Sequence, residues 1–368
     1  MPTNDVPGEA REQALDSLGW DSHFAVEFER YGGQDLIPAR VAVEHKSAYD
    51  LYAECGTLEA QASGRLRHDS MRGEMPAVGD WVAVQRRDSR QATIHAVLPR
   101  RSKFSRKVAG FEIEEQVLAA NVDVAFLVTS LDADLNIRRI ERYMTTAMGS
   151  GADPVVVLTK PDLCDDPAAA RAAVEAVAAG VPVHVVSGIT GEGIDAIGHY
   201  FYPHRTATLL GSSGVGKSTL VNVLVGREMQ RTNEVRWDGK GRHTTSHRQL
   251  IILPGGGLLI DTPGLRELQL WDAGPGLGET FEDIEELASE CRFRDCAHER
   301  EPGCAVKAAI QSGALLPARL ESYRKLQREL HHVAIKRDAQ ARSEQRKKFK
   351  AVNKSMRAKT KEIKARPR

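Results

Sequence analysis

Five cysteines and a 5% share of aromatic residues are little for 368 residues, and no apolar run approaches the length of a membrane span. So few cysteines argue against a disulfide-stapled secreted scaffold, and the missing span excludes a transmembrane helix. No secretory leader opens the chain, whose first segment is polar and acidic, so a reducing cytosol is the expected setting. Net charge is nearly absent too, at +1. That balance conceals an asymmetry: residues 336–368 hold fourteen Lys and Arg against three acidic residues, a net of +11 that leaves −10 on everything before them. Such a block either binds nucleic acid through phosphate contacts or remains a solvated tail. Its one aromatic is Phe349, so base reading by stacking is not expected there. With 41% hydrophobic residues the chain can build two or three domains.

What the chain does carry is a set of nucleotide motifs in rotated order. Thr159-Lys160-Pro161-Asp162 comes first and Ser187-Gly188 next. Gly211-Ser212-Ser213-Gly214-Val215-Gly216-Lys217-Ser218 follows, and Asp261-Thr262-Pro263-Gly264 is last. The Gly-rich segment lies between a buried strand, Thr206 to Leu210, and a helix beginning near Ser218. Its glycines let backbone N–H groups turn inward around phosphate oxygens, and the helix start at Ser218 and Thr219 adds partial positive charge. Lys217 reaches the outer phosphates and Ser218 offers a hydroxyl to Mg²⁺.

Thr-Lys-Pro-Asp follows the apolar run Pro154 to Leu158, at the carboxyl end of a parallel strand, where α/β proteins bind ligands. The Asp162 carboxylate can accept from both the N1–H and the 2-amino group of guanine, an arrangement adenine lacks. GTP is therefore the expected nucleotide, and an ATP-using P-loop kinase is the rival that Asp162 argues against. Lys160 lays its aliphatic stem along the base. Ser187-Gly188, after the strand Val181 to Val186, makes the second base-side loop.

Between phosphate loop and last motif, Gly241-Arg242-His243-Thr244-Thr245 sits in a polar stretch suited to a switch loop. Its threonine closes over Mg²⁺ and the terminal phosphate, and spacing favours Thr245 over Thr244. Asp261 follows Leu258-Leu259-Ile260 and holds the metal directly or through water, with the Gly264 amide sensing the terminal phosphate. Many GTPases place Gln directly after this motif, but here Leu265 stands there and cannot position a water. His243 is the candidate for that task, since an imidazole can orient or deprotonate water near neutral pH; a solvated loop histidine is the alternative. Slow unassisted turnover follows from a site without a fixed water-positioner.

Beyond the switch, Cys291, Cys296, His298 and Cys304 fall within fourteen residues as C-x4-C-x-H-x5-C. Three thiolates and an imidazole suit one tetrahedral, structural Zn²⁺. Cys55 and Cys164 are isolated and read as packing residues. Pro317 followed by Leu320, Tyr323, Leu326 and Leu330 predicts a helix leading out of this region.

Ahead of the nucleotide motifs, residues 34–104 show short alternating segments such as Trp81-Val82-Ala83-Val84 and Thr93-Ile94-His95-Ala96-Val97. That rhythm predicts a small antiparallel barrel. Arg65, Arg67, Arg72, Arg86, Arg87, Arg100, Arg101, Lys103, Arg106 and Lys107 in or near its loops suit an oligonucleotide-binding barrel, or simply a barrel with solvated arginines. In residues 1–33, Leu15, Leu18, Trp20, Phe24 and Phe28 can form a helix docking elsewhere. From Val122 onward strands and helices alternate: strand Val122 to Thr129, helix Ile137 to Gly149, strand Pro154 to Thr159, helix Pro167 to Ala179, strand Val181 to Val186. This predicts a helix-covered parallel sheet. A multidomain chain is the result: extension 1–33, β-barrel (OB-fold) 34–104, central α/β P-loop domain 105–272, α-helical zinc-binding domain 273–335 and basic tail 336–368.

The rotated motif order resembles that of the circularly permuted GTPases. Together with the barrel, the Cys-His cluster followed by Pro302-Gly303, the phrase Asn121-Val122-Asp123 and Gly-Arg-His-Thr-Thr, it resembles the ribosome small-subunit-dependent GTPase A family over about residues 34–335. That family also carries a His at the position of His243. The resemblance implies a cytoplasmic GTPase that binds the small (30S) ribosomal subunit and its rRNA late in maturation, and a monomer is expected. Hydrolysis would be stimulated by the subunit and coupled to release. A nucleotide-gated RNA-binding regulator with little hydrolysis is the alternative. The chain departs from the family in Thr159, where Asn is usual, in its polar N-terminal extension and in its long basic tail.

Overall fold

The computed structural model describes residues 15–31, 35–69, 74–107, 115–132, 135–226, 248–261 and 274–335. His243, Thr244, Thr245, Gly264, Leu265, Arg72 and the basic tail lie outside them. Among the described residues no helix is long and apolar enough to cross a membrane.

Five strands form the first unit: β1 (Ile37–Glu44), β2 (Tyr49–Ala53), β3 (Gly56–Ala62), β4 (Trp81–Arg86) and β5 (Gln91–Val97). β1, β2 and β3 run as an antiparallel meander, β3 pairs in parallel with β5, β5 hairpins with β4, and β4 returns to β1. With the helix Gly64–Asp69 between β3 and β4, this is the closed five-stranded order of an oligonucleotide-binding barrel. Alternation follows from the pleat: Leu58, Ala60 and Ala62 of β3 are buried inside and their neighbours exposed. β4 is instead buried on both faces from Trp81 to Val84. The outer face is covered by the N-terminal helix Ser22–Glu29, capped by Asp21, and by the segment before it: Leu15, Leu18 and Phe24 are buried, and Trp20 meets Trp81 edge-on at 4.6 Å.

A hairpin of β6 (Lys103–Lys107) and β7 (Glu115–Ala120) leads to the second unit. There β8 (Val124–Ser130), β9 (Asp153–Thr159), β10 (Val183–Val186), β11 (Thr206–Leu210) and β13 (Leu258–Asp261) run parallel, with β12 (Gln249–Ile252) antiparallel to β13. All seven residues of β8 are buried, as expected for a strand covered on both faces by helices. The sequence-derived elements recur within a few residues, with the helix of 137–149 found at Ile137–Ser150 and that of 167–179 ending earlier, at Glu175. Barrel and central sheet are continuous, because the end of β1, past a bulge at Val41/Val43, pairs with β12 through Val43 and Gln249. Arg248 seals that joint with Glu44 at 2.9 Å.

Two buried arginines bind the units together. The Arg40 guanidinium, 2% exposed, donates to the carbonyls of Leu18, Gly79 and Asn121 and to the Thr206 hydroxyl, so one side chain touches N-terminal segment, barrel, connector and β11. Burial lowers its pKa to about 10, against the opposing pull of Asp123.

Arg319 sits on the helix of residues 317–335. It meets Asp283 at 2.8 Å, Glu141 at 3.0 Å, and the carbonyls of Val177 and Thr280. It thereby joins the C-terminal helical unit, whose core centres on Phe281, Ile284, Val306 and Leu320, to the central sheet's helix. Glu141 is 2% exposed, and burial raises its pKa despite bonds from Ser322 and Arg319. Arg319→Ala strands that carboxylate. Removing one partner of a buried pair costs about 3–5 kcal/mol, so hydrogen exchange across residues 317–335 should show opening cheaper by that amount.

Arg100 is neither an RNA-facing nor a solvated barrel arginine, because its guanidinium grips the buried Asp80 at 2.7 Å and the Met75 carbonyl. Arg101 lies over the Phe24 ring and pairs with Asp21, and Lys103 pairs with Glu115. Arg65, Arg67, Arg86, Arg87 and Arg106 are exposed. Cys164 packs against the central core as expected, whereas Cys55 is exposed between β2 and β3 and is not a core residue.

Candidate nucleotide-binding site and metal centre

β11 is the central strand between β8 and β13, and its five residues are buried. The chain leaves it into the loop 211–216 and re-enters order as the helix Lys217–Val225. Gly211 must be glycine here, since a Cβ would stand 2.3 Å from the Val128 carbonyl oxygen. Gly214 and Gly216 take positive φ of 86° and 95°. Val215, 1% exposed, anchors the loop in the core beneath, leaving Ser213, Gly214, Ser218 and Thr219 at the exposed mouth. The Lys217 ammonium donates to the carbonyls of Gly211, at 2.8 Å, and Ser212.

The base-side motifs converge on this loop. Thr159 ends β9 buried, and its hydroxyl donates to the Val215 carbonyl at 2.6 Å. That one hydroxyl ties the base-side turn to the phosphate loop. Lys160, in the left-handed region at φ 56°, pairs with Asp132 at 3.1 Å, and Asp162 lies exposed in the short helical turn Pro161–Leu163. Ser187 directly follows β10, and its hydroxyl accepts from the amides of Ile189 and Thr190. Gly188 abuts the phosphate helix so closely that a Cβ would fall 2.7 Å from the Thr219 methyl. Asp261 ends β13, which pairs with β11. All these residues therefore sit at the carboxyl ends of parallel strands, the end at which such sheets bind ligands.

Sequence reading missed Asp132 and Arg139. Arg139, on the helix Ile137–Ser150, donates from Nη1 to the Ser212 hydroxyl. Neither belongs to a motif, and the second contact joins residues 73 apart, so no local pattern betrays it.

In the C-terminal unit the ligand atoms of Cys291, Cys296, His298 and Cys304 all lie within 4.8 Å of one another. Cys291 Sγ is 3.8 Å from Cys304 Sγ, and His298 Nδ1 is 3.6 and 3.4 Å from the two sulfurs. Bonds of about 2.3 Å to sulfur and 2.0–2.1 Å to nitrogen imply tetrahedron edges of about 3.8 and 3.6 Å, so the donor set fits a zinc ion. Burial, then the nearby Arg324, hold the His298 imidazole below its ordinary pKa and so in the neutral form a metal needs. The turn is shaped by His298 and Gly303, both at positive φ, and Cys304 opens the helix Ala305–Ser312.

A P-loop site with guanine-type base motifs, laid on a sheet in rotated chain order and flanked by an oligonucleotide-binding barrel, defines a circularly permuted GTPase. The sequence model of the family described as RsgA GTPase matches residues 97–271. The chain is 49% identical over 356 residues to the small ribosomal subunit biogenesis GTPase RsgA of Opitutus terrae, covering 94% of this chain and 97% of that one. It is 48% identical over 345 residues to the protein of the same name from Streptomyces coelicolor, covering 93% of each. Among solved structures, YjeQ from Thermotoga maritima superposes with a TM-score of 0.62 at 27% identity, over 80% of this chain and 98% of that one. YloQ, a circularly permuted GTPase, gives 0.59 at 25% identity, over 82% and 97%. This chain belongs to the RsgA GTPase family and is a GTP hydrolase.

Proposed function

We propose that this chain hydrolyses GTP on the small ribosomal subunit late in its maturation, that the 30S particle stimulates the reaction, and that hydrolysis is coupled to release. The convergence of Thr159 and Gly188 on the phosphate helix and its loop carries the nucleotide part. The names borne by relatives that match nearly end to end support the ribosomal part. In this reading Thr159, Lys160, Asp162, Ser187 and Gly188 receive the guanine. Residues 211–219 cradle the phosphates, and Ser218 and Thr245, with Asp261, hold Mg²⁺, which neutralises charge on the transferring phosphoryl group when bound. The Gly264 amide senses the terminal phosphate. His243 orients the attacking water. Cys291, Cys296, His298 and Cys304 hold one structural zinc. The exposed barrel arginines and the basic tail contact rRNA phosphates, and the protein acts as a cytoplasmic monomer.

The test is the GTP hydrolysis rate of the protein alone, with 30S subunits and with 50S subunits, at fixed moderate salt. A rise with 30S alone is the expected result, and His243→Ala should cut that stimulated rate about 100-fold, the scale of a lost general base, with nucleotide binding intact. No stimulation by either particle would turn the reading to an RNA-binding regulator gated by GTP, which Leu265 in place of a glutamine permits.

A further inference from the structure

The helix Ile137–Ser150 has two working faces. Ile140, Tyr143, Met144 and Ala147, at helical spacing, are buried in the central core. A second face carries Glu141, buried against Arg319 and Ser322, and Thr145, bonded to Thr280 of the helix Gly274–Thr280. Those contacts brace the helix along its length, and at its start the Asn136 side chain caps it by accepting from the Arg139 amide. Arg139 projects from this braced first turn and bonds the hydroxyl of Ser212. The carbonyl of the same Ser212 accepts from the Lys217 ammonium. One residue of the loop 211–216 is therefore gripped by the guanidinium from outside and in turn holds the Lys217 ammonium.

We propose that Arg139 is a positioning residue for GTP hydrolysis: through Ser212 it sets the Lys217 ammonium where charge builds on the outer phosphates, and so governs kcat rather than nucleotide affinity. This rests on the assignment of Lys217 to those phosphates. The backbone amides that cradle the inner phosphates belong to the loop itself and need no help from the helix, so ground-state binding is spared. Charge at the outer phosphates shifts only during the reaction, and an ammonium displaced by a fraction of an ångström loses effect there first.

The full-length protein, stimulated by 30S subunits, provides the test. Arg139→Met and Ser212→Ala remove the same bond from opposite ends. Each should lower kcat roughly tenfold, the scale of one charge-assisted hydrogen bond, with KM and GDP affinity within about twofold. The double variant should lose about as much as either single one, not the product. Affinity for GDP with aluminium fluoride, which mimics the transferring phosphoryl group, should fall by the same factor as kcat. The inference is overturned if kcat holds in both variants, if Ser212→Ala is silent while Arg139→Met is impaired, or if only the melting temperature falls. Lys217→Ala serves as the reference. If it leaves turnover intact, the phosphate-loop assignment itself fails; if it abolishes turnover while Arg139→Met does not, only the role of Arg139 fails.

Discussion

With the proposed zinc held by Cys291, Cys296, His298 and Cys304, chelation should unfold the turn of residues 291–304 and loosen the helices Glu282–Ser289 and Ala305–Ser312, while GTP binding persists. The expectation comes from the size of the unit. Among the described residues its core gathers ten buried hydrophobic side chains, one of them Cys304 itself, and a core that small rarely stands alone. A structural zinc in a small domain contributes an apparent 10–16 kcal/mol, strongly dependent on pH, so its loss exceeds anything the packing can offset. The nucleotide site should be spared because its loops follow β9, β10, β11 and β13 of the central sheet, and none of the four cluster residues lies on those strands. Hydrogen exchange with and without chelator, alongside binding of a fluorescent GDP analogue, measures both halves. Unchanged protection of residues 305–312 in demetallated protein would remove zinc from the account of stability. Weakened binding to 30S subunits at unchanged GDP affinity would place the unit in partner recognition.

Asp162→Ala should erase the preference for guanine. Two donors on the base lose one charged acceptor, and sites that hydrogen-bond a substrate reject analogues lacking the donor by about 10⁴–10⁵. A loss of at least ~10²-fold in GTP affinity relative to ATP is therefore expected. The fold should not suffer, since Asp162 is exposed in its short turn and the neighbouring Thr159, which does bind the loop, is untouched. Competition of GTP and ATP against labelled GDP reads the ratio directly. Unaltered selectivity would move base recognition elsewhere, with the Ser187-Gly188 turn the first place to look.

Much of this architecture was written locally. The rotated motifs were legible because each is a contiguous run whose glycines, lysine and carboxylates have one purpose, and the barrel because Trp81 to Val84 and Thr93 to Val97 alternate with Gly-rich breaks. The Cys-His cluster needed only spacing. What escaped is what distance hides. Arg40, Arg139 and Arg319 look like any surface arginine in the sequence, yet each finds its partners across 22 to 178 residues, and burial is visible only once the sheet is assembled. Arg100 escaped for the same reason: its charge suited either RNA or solvent, but Asp80 lies beneath it. The continuity of barrel and central sheet through Val43 and Gln249 was equally invisible, because it depends on a bulge that turns the end of β1 aside.

The rotated order has a consequence for how the chain is made. Synthesis runs from the N-terminus, and the barrel can close by residue 97 and β8 to β10 can pair by residue 186. β11, which belongs between β8 and β13, emerges only afterwards. Until it does, β8 presents an open edge and the buried Arg40 lacks Thr206, its partner 166 residues downstream. In the proposed site, the base-side motifs of β9 and β10 are therefore made before the phosphate loop that follows β11, so a complete nucleotide pocket waits on the central strand.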